Sequence, residues 1–183
     1  LGLSYRGSAY RGWQSQPGGG GVQDHVEAAL GRFAAQPIRT RCAGRTDAGV
    51  HAHNQVAHLD TTHPIEPNHL LHHLNSMLPK DIAIQTIYPV PSHHHARFSA
   101  LQRTYTYYIH QEKDPFKKDL SYYYRHPLHL ETMQTAANWL CTQSCFKSFC
   151  KTGTSNTHFN CTLFEATWAQ QNTNRSEEHT SEL

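Results

Sequence analysis

At 183 residues with 37% apolar side chains, the chain is long enough for one ordinary domain or two small ones with a packed core. Its formal charge of +2 permits a nucleic-acid partner without announcing one, although sixteen histidines add positive charge below neutral pH. No run of eighteen apolar residues occurs, and Leu1-Gly2-Leu3-Ser4-Tyr5-Arg6 lacks the basic start and apolar stretch of a signal peptide, so neither membrane insertion nor secretion is expected and a cytoplasmic location is. Five cysteines (Cys42, Cys141, Cys145, Cys150 and Cys161) form no C-x-x-C pair, and an odd number suits reduced structural thiols better than a disulfide framework. Asn160-Cys161-Thr162 and Asn174-Arg175-Ser176 match the glycosylation pattern but carry no weight without an export signal.

The first element is a strand, with Leu1, Leu3 and Tyr5 alternating with Gly2, Ser4 and Arg6, and Gly7-Ser8 opens a turn. Pro17 to Gly21 is a loop. From Val22 the apolar residues Val26, Ala29, Leu30 and Phe33 recur at helical spacing, with Asp24 and Glu27 in the first turns where the helix dipole favours acidic groups. Pro37 ends this helix, Ile38 to Ala43 reads as a strand, and Gly44 to Gly49 as a loop dense in polar groups. Gln55 to Thr61 is a further strand. Pro67 to Leu78 is a helix with Leu70, Leu71, Leu74 and Leu78 on one side, and Ile82 to Val90 a strand. The order strand, helix, strand, strand, helix, strand predicts an α+β fold, an antiparallel sheet with two helices on one face on the ferredoxin-like, split βαβ plan. The pattern then restarts with an aromatic strand (Thr104 to Ile109), a helix (Leu130 to Cys141) and a strand (Cys161 to Trp168), a second domain of similar plan that stays incomplete. Predicted boundaries are 1–97 for the first domain, 98–169 for the second and 170–183 for a polar, disordered tail.

Chemistry is most plausible in Cys42-Ala43-Gly44-Arg45-Thr46-Asp47-Ala48-Gly49-Val50-His51-Ala52. Gly44 and Gly49 permit tight or left-handed turns, so Asp47 can project from the rim of a sheet while the backbone leaves room for a ligand. Arg45 is placed to hold that carboxylate ionised through a bidentate pair. On spacing alone the same residues make an Asx-turn with a surface ion pair.

Resemblance separates the two readings. Gly44-Arg45-Thr46-Asp47-Ala48-Gly49-Val50-His51 resembles the signature loop of the TruA family of tRNA pseudouridine synthases. Tyr5-x-Gly7-x-x-Tyr10-x-Gly12-Trp13-Gln14 resembles that family's opening strand and turn, and Asn75-x-x-Leu78-Pro79-x-Asp81-Ile82 its mid-domain helix exit. His95-Ala96-Arg97-Phe98-Ser99-Ala100 with Arg103-Thr104-Tyr105-x-Tyr107 resembles its interdomain stretch and aromatic strand, and Phe146-x-x-Phe149 a later block. The matches run in order over roughly residues 1 to 168.

The resemblance implies the pseudouridine synthase fold and an isomerase that converts uridine to pseudouridine in the anticodon arm of tRNA, at positions 38 to 40, with Asp47 as nucleophile. It implies that Arg45 pairs with Asp47 and helps fill the space left by the extruded base, and that Tyr105 stacks on that base and is a candidate to take the proton from its carbon five. Without the resemblance, Tyr105 reads as a strand-core aromatic sharing a face with Tyr107. Arg97, Arg103 and His51 are the implied substrate contacts, while Arg6, Arg11, Arg39 and Arg41 are further candidates for phosphate. The isomerisation needs no cofactor and no metal. The expected partners are the tRNA anticodon stem-loop and, for the full-length protein, a second copy of itself, with no membrane.

Two rivals follow from the residues. One is a noncatalytic RNA-binding fragment that keeps the fold but not turnover. The other is a histidine metal hydrolase built on His51, His53 and His58 near Asp47 and Asp60, or on His93-His94-His95; no HExxH-like helix accompanies them, and three consecutive histidines cannot all aim at one ion. The chain also departs from the family after Trp168. The basic, apolar helix with a Met-Val-Arg-like motif is absent, and Asn174 to Leu183 resembles translated sequencing-adapter sequence. An open second sheet exposes strand edges and apolar faces, so the isolated chain is expected to be weakly active or inactive.

Overall fold

The computed structural model of the chain describes residues 1–61, 64–150, 159–171 and 176–182, and it divides into two compact units, Leu1–Ala100 and Leu101–Leu183. In the first unit, β1 (Gly2–Tyr5), α1 (Val22–Ala34), β2 (Thr40–Cys42), β3 (Ala52–Leu59), α2 (Pro67–Met77) and β4 (Ile82–Thr86) follow in the order that the periodicity predicts. The strands form one sheet in the order β2-β3-β1-β4, with every neighbouring pair antiparallel. Alternation in β1 and β4 buries Leu3, Tyr5, Ile82 and Ile84. The helical stripes add Val22, Val26, Ala29 and Leu30 from α1 and Leu70 and Leu74 from α2 to the same cluster, so both helices serve one core with the sheet. Full burial of a side chain such as Leu3, Leu30 or Leu74 contributes about 1.5–3 kcal/mol, which makes this cluster the main stabiliser of the unit.

Local chemistry sets the helix ends. The Asp24 carboxylate accepts the Gly21 N–H at 2.9 Å at the start of α1. Ala35 closes the helix in a left-handed conformation, φ 52°, two residues before Pro37. Glu66 caps α2 by accepting the N–H groups of Asn68 and His69, with Pro67 at the first helical position. Between β1 and β3 the register slips, from Leu3 opposite Gln55 to Tyr5 opposite Ala52, and Asn54 in the extra segment takes φ 59°. This bulge bends β3 directly after the Asp47 loop, a common place for one beside a functional site.

The second unit contains β5 (Thr104–His110), β6 (Tyr122–Tyr123), α3 (Leu130–Cys141), β7 (Ala166–Gln171) and β8 (Ser176–Glu182), with the sheet order β6-β5-β8-β7. Among the described residues its buried cluster is Ala137, Leu163 and Ala166, with Leu140, Cys141, Phe146 and Trp168 packed against it. Three features differ from the sequence reading. The last predicted strand starts at Ala166 rather than Cys161, because Asn160 is drawn into an isolated bridge with Cys145 and Cys161–Glu165 runs irregularly between them. Tyr122–Tyr123 is a strand too short to carry a period. The tail read as disordered carries strand backbone: β7 extends to Gln171, and Ser176–Glu182 lies antiparallel between β5 and β7. Two facing strand edges offer unpaired N–H and C=O groups to any extended segment whatever its composition, which is why polarity misleads there. Asn174 and Arg175 lie outside the described residues.

Among the described residues no helix is long and apolar enough to cross a membrane, and the five cysteines form no disulfide. One polar contact fastens α2 to the sheet: the Asn75 amide donates to the Ile84 carbonyl at 2.8 Å and accepts the Ile84 N–H at 2.8 Å, completing an edge position of β4. Asn75→Ala is therefore expected to lower unfolding stability by about 2 kcal/mol, read as a lower urea midpoint at an unchanged slope.

Candidate active site

The Asp47 loop leaves β2 at Cys42 and returns into β3 at Ala52. Its backbone is tied to the turn that follows β1. The Trp13 N–H donates to the Thr46 carbonyl at 3.1 Å, and the Gly49 N–H to the Tyr10 carbonyl at 3.3 Å. The Gly7 N–H donates to His51 Nδ1 at 3.1 Å, and the Tyr5 and Thr46 hydroxyls lie 2.7 Å apart. Within the loop the Val50 N–H bonds to the Asp47 carbonyl at 3.2 Å, and the Cys42 thiol donates to the Gly44 carbonyl at 3.2 Å.

Two glycines make this contact possible. A Cβ on Gly7 would lie 2.0 Å from the Val50 carbonyl oxygen, and one on Gly12 would lie 2.3 Å from that of Thr46. Gly12 also has φ +85°, which disfavours any other residue. The turn is itself anchored. Trp13 is 1% exposed in the core, and the Tyr10 phenol donates to the Asp81 carboxylate at 2.6 Å. The Asp81 carbonyl accepts the Arg6 N–H at 2.8 Å. Burial, with the Asp81 carboxylate, pushes the Tyr10 phenol well above the usual range, so it remains a donor; burial also raises Tyr5, partly offset by its Thr46 and Gln55 contacts.

On this floor Asp47 is exposed at the rim of the sheet, as are Arg45, Ala48 and Gly49. Ion pairs join Arg39 with Glu27 and Arg41 with Asp60, whereas the expected Arg45–Asp47 pair is not formed. An exposed pair gains at most about 1 kcal/mol, too little to dictate the conformation of two solvated side chains. His51 is half-buried, with Nδ1 directed to the Gly7 amide, and so anchors the loop.

Arg97 follows a histidine clasp. The Ala96 N–H donates to His58 Nδ1 at 3.2 Å, and the His58 and His95 rings meet edge to face at 4.4 Å. The Arg97 guanidinium lies over the Phe98 ring, 5.7 Å from its centroid. His93 and His94 are exposed, and among the described residues no three His, Cys, Asp or Glu side chains are grouped to hold a metal. In the second unit, Arg103 precedes β5 and Tyr105 lies on it; Tyr105 and Tyr107 are 40% and 65% exposed, so neither is the core aromatic that their alternation alone suggests.

A sequence model of the family described as tRNA pseudouridine synthase matches residues 3–99, the whole of this loop and its floor. The chain belongs to that family. Among its relatives, the tRNA pseudouridine synthase A of Variovorax paradoxus is 50% identical over 153 residues, which is 81% of this chain and 56% of the relative. That of Porphyromonas gingivalis is 44% identical over 168 residues, 91% of this chain and 67% of the relative, and that of Methylibium petroleiphilum 62% identical over 109 residues, 60% and 42%. The chain thus spans between two fifths and two thirds of the length of these pseudouridine synthases.

Motif reading quotes Tyr5, Gly7, Gly12, Trp13 and Asp81 but gives them no role at the site; they are the residues beneath the loop. Two predictions follow. Gly7→Ala should shift the Asp47 loop and lower the thermal midpoint, since its new methyl meets fixed backbone; a midpoint within about 1 °C of the parent would contradict the close approach. His58 has its pKa lowered, first by burial and then by His95. Its folded pKa lies below its unfolded one, so the contribution to stability is complete above 6.5 and is lost as pH falls towards the folded value. An NMR titration should put the His58 midpoint below 6.5, and His58→Gln should flatten the loss of stability between about pH 7 and 5.

Proposed function

We propose that this chain carries the nucleophile-bearing half of a tRNA pseudouridine synthase, a ferredoxin-like unit followed by a second unit of similar plan, acting on uridines of the anticodon arm in the cytoplasm. The observation that supports it best is an exposed carboxylate, Asp47, on a loop whose backbone is held at Thr46, Gly49 and His51 by the β1 turn. Exposure lets it meet a nucleotide, and the fixed backbone keeps it from spending orientational freedom on each encounter. The names of the relatives, tRNA pseudouridine synthase A, supply the substrate class.

A uridine in a helix is stacked and out of reach, so the reaction begins with its extrusion, at a cost of a few kcal/mol that contacts to the flipped base must offset. The Asp47 carboxylate attacks, at the pyrimidine ring or at the ribose, and the bond from N1 to the sugar breaks. The base turns, carbon five bonds to the sugar, the bond to Asp47 breaks and returns its carboxylate, carbon five loses its proton and N1 gains one. Substrate and product are isomers, so no oxidant, cofactor or metal is consumed. Arg45, which pairs with no carboxylate among the described residues, is available to occupy the place of the extruded base. Tyr105, exposed on β5, stacks on the base and takes the carbon-five proton; Arg97 and Arg103 bind phosphate, and His51 holds the loop. The complete protein works as a homodimer, which supplies basic surface that a chain of net charge +2 lacks.

In the full-length protein containing this sequence, Asp47→Asn is expected to reduce pseudouridine formation on the order of 10³-fold or more, with tRNA affinity held within about twofold. Sequencing that detects pseudouridine in treated tRNA gives the positions. Turnover retained by the amide variant would remove Asp47 from the reaction, and modification confined to another arm would overturn the anticodon assignment.

A further inference from the structure

We propose that Gln23 and Glu27, one turn apart on α1, are positioning residues for the Asp47 loop; the inference rests on the reading of Asp47 as the reactive group. Glu27 is 9% exposed, and its carboxylate is almost saturated. Oε1 accepts the Thr40 N–H at 2.7 Å, the Thr40 hydroxyl at 3.1 Å and the Gln23 amide at 2.8 Å. Oε2 accepts Arg39 at 2.8 Å, and Arg39 is itself 81% exposed. The Gln23 amide also donates to the Thr40 carbonyl at 2.9 Å and accepts the Ser15 N–H at 3.1 Å, while the Gln23 backbone N–H bonds to the Trp13 carbonyl at 2.9 Å.

These contacts converge on both supports of the loop. Thr40 opens β2, the strand that runs into the loop. Trp13 is the residue whose N–H holds the Thr46 carbonyl, next to Asp47. One polar node on α1 therefore fixes the strand that feeds the loop and the turn that underlies it, and couples their register. Close contact at the same junction leaves no slack: a Cβ on Gly21 would lie 2.5 Å from the Gln14 carbonyl oxygen. Packing alone does not call for this chemistry. Position 27 adjoins the apolar stripe of Val26 and Leu30, where a leucine would fill space without burying a charge that is costly unless fully bonded. The bonds of the carboxylate are directional, and their direction is towards the backbone that presents Asp47.

Amide hydrogen exchange on the 183-residue chain, without tRNA, tests the node in Glu27→Leu, Gln23→Met and Glu27→Gln. Glu27→Leu is expected to speed exchange at Trp13, Thr40 and Gly49 by about tenfold or more, with Ala57 and Leu78 held within about twofold of the parent. Gln23→Met, which leaves the carboxylate in place, should do the same at Ser15 and Trp13, and keeps the test open should the leucine variant not fold. Glu27→Gln retains an acceptor at the Oε1 position and should restore the protection. Acceleration shared equally by Ala57 and Leu78 would mark a merely structural role, and no acceleration at Trp13 and Gly49, or no rescue by glutamine, would equally overturn the proposal. Because these amides are read without substrate, such a failure is separate from one in which Asp47→Asn keeps its turnover.

Discussion

Backbone lies on backbone beneath Asp47, and the rest of the first unit is arranged around that contact. It exists only because positions 7 and 12 carry no side chain, since a Cβ at either would occupy the space of the Val50 or Thr46 carbonyl. Close approach makes the hydrogen bonds from Trp13 and Gly49 short enough to form, and these transfer the rigidity of the core to the loop. Trp13 is sealed in the hydrophobic cluster, and Tyr10 is fastened through Asp81 to the start of β4. A carboxylate presented to solvent on such a base keeps its orientation at little cost in entropy.

Motifs that lie far apart in the chain form one connected structure for the same reason. The segment Tyr5 to Gln14 is the floor of the Gly44 to His51 loop; Asp81, from the exit of α2, ties that floor to the sheet; Ala96 is held by His58 of β3. Sequence resemblance presents these as separate matches, whereas the hydrogen bonds show that each supports the next. The Arg45 side chain stands apart from this network. The loop that carries Asp47 is held instead by backbone amides and carbonyls of the β1 turn.

Periodicity made most of the first unit legible, because α1 and α2 each bury one stripe and β1 and β4 alternate cleanly over a core that lies on one side. The exposure of Asp47 was legible too, from glycines and polar residues at a strand exit. The polar node was not. Glu27 reads as an acidic residue in a helix's first turns, and nothing in its spacing announces Thr40, thirteen positions on, as its partner. A charged residue immediately beside the apolar stripe of α1 was the one available signal. The Arg45–Asp47 pair failed in the opposite way: adjacency in sequence suggested an ion pair that solvent makes nearly worthless. In the second unit, composition misjudged 176–182, because strand pairing there is demanded by the backbone of β5 and β7 rather than by side chains.

The two units solve the same local problem with the same device, and the comparison shows where each derives its stability. In the first, the Asn75 amide takes both backbone groups of Ile84; in the second, Gln134 of α3 donates to the Ala166 carbonyl at 3.1 Å and accepts the Trp168 N–H at 2.8 Å. A helix is thereby fixed to a strand by an amide that imitates a neighbouring strand. In the first unit that contact adds to an extensive apolar cluster. In the second, among the described residues, it accompanies three buried apolar side chains, and polar contacts and strand pairing carry a larger share of their order. Among the described residues β5 and β7 are joined through β8, and loss of that strand would open an edge on each, whereas the four strands of the sheet beneath Asp47 pair with one another in a single order and support the loop without that dependence.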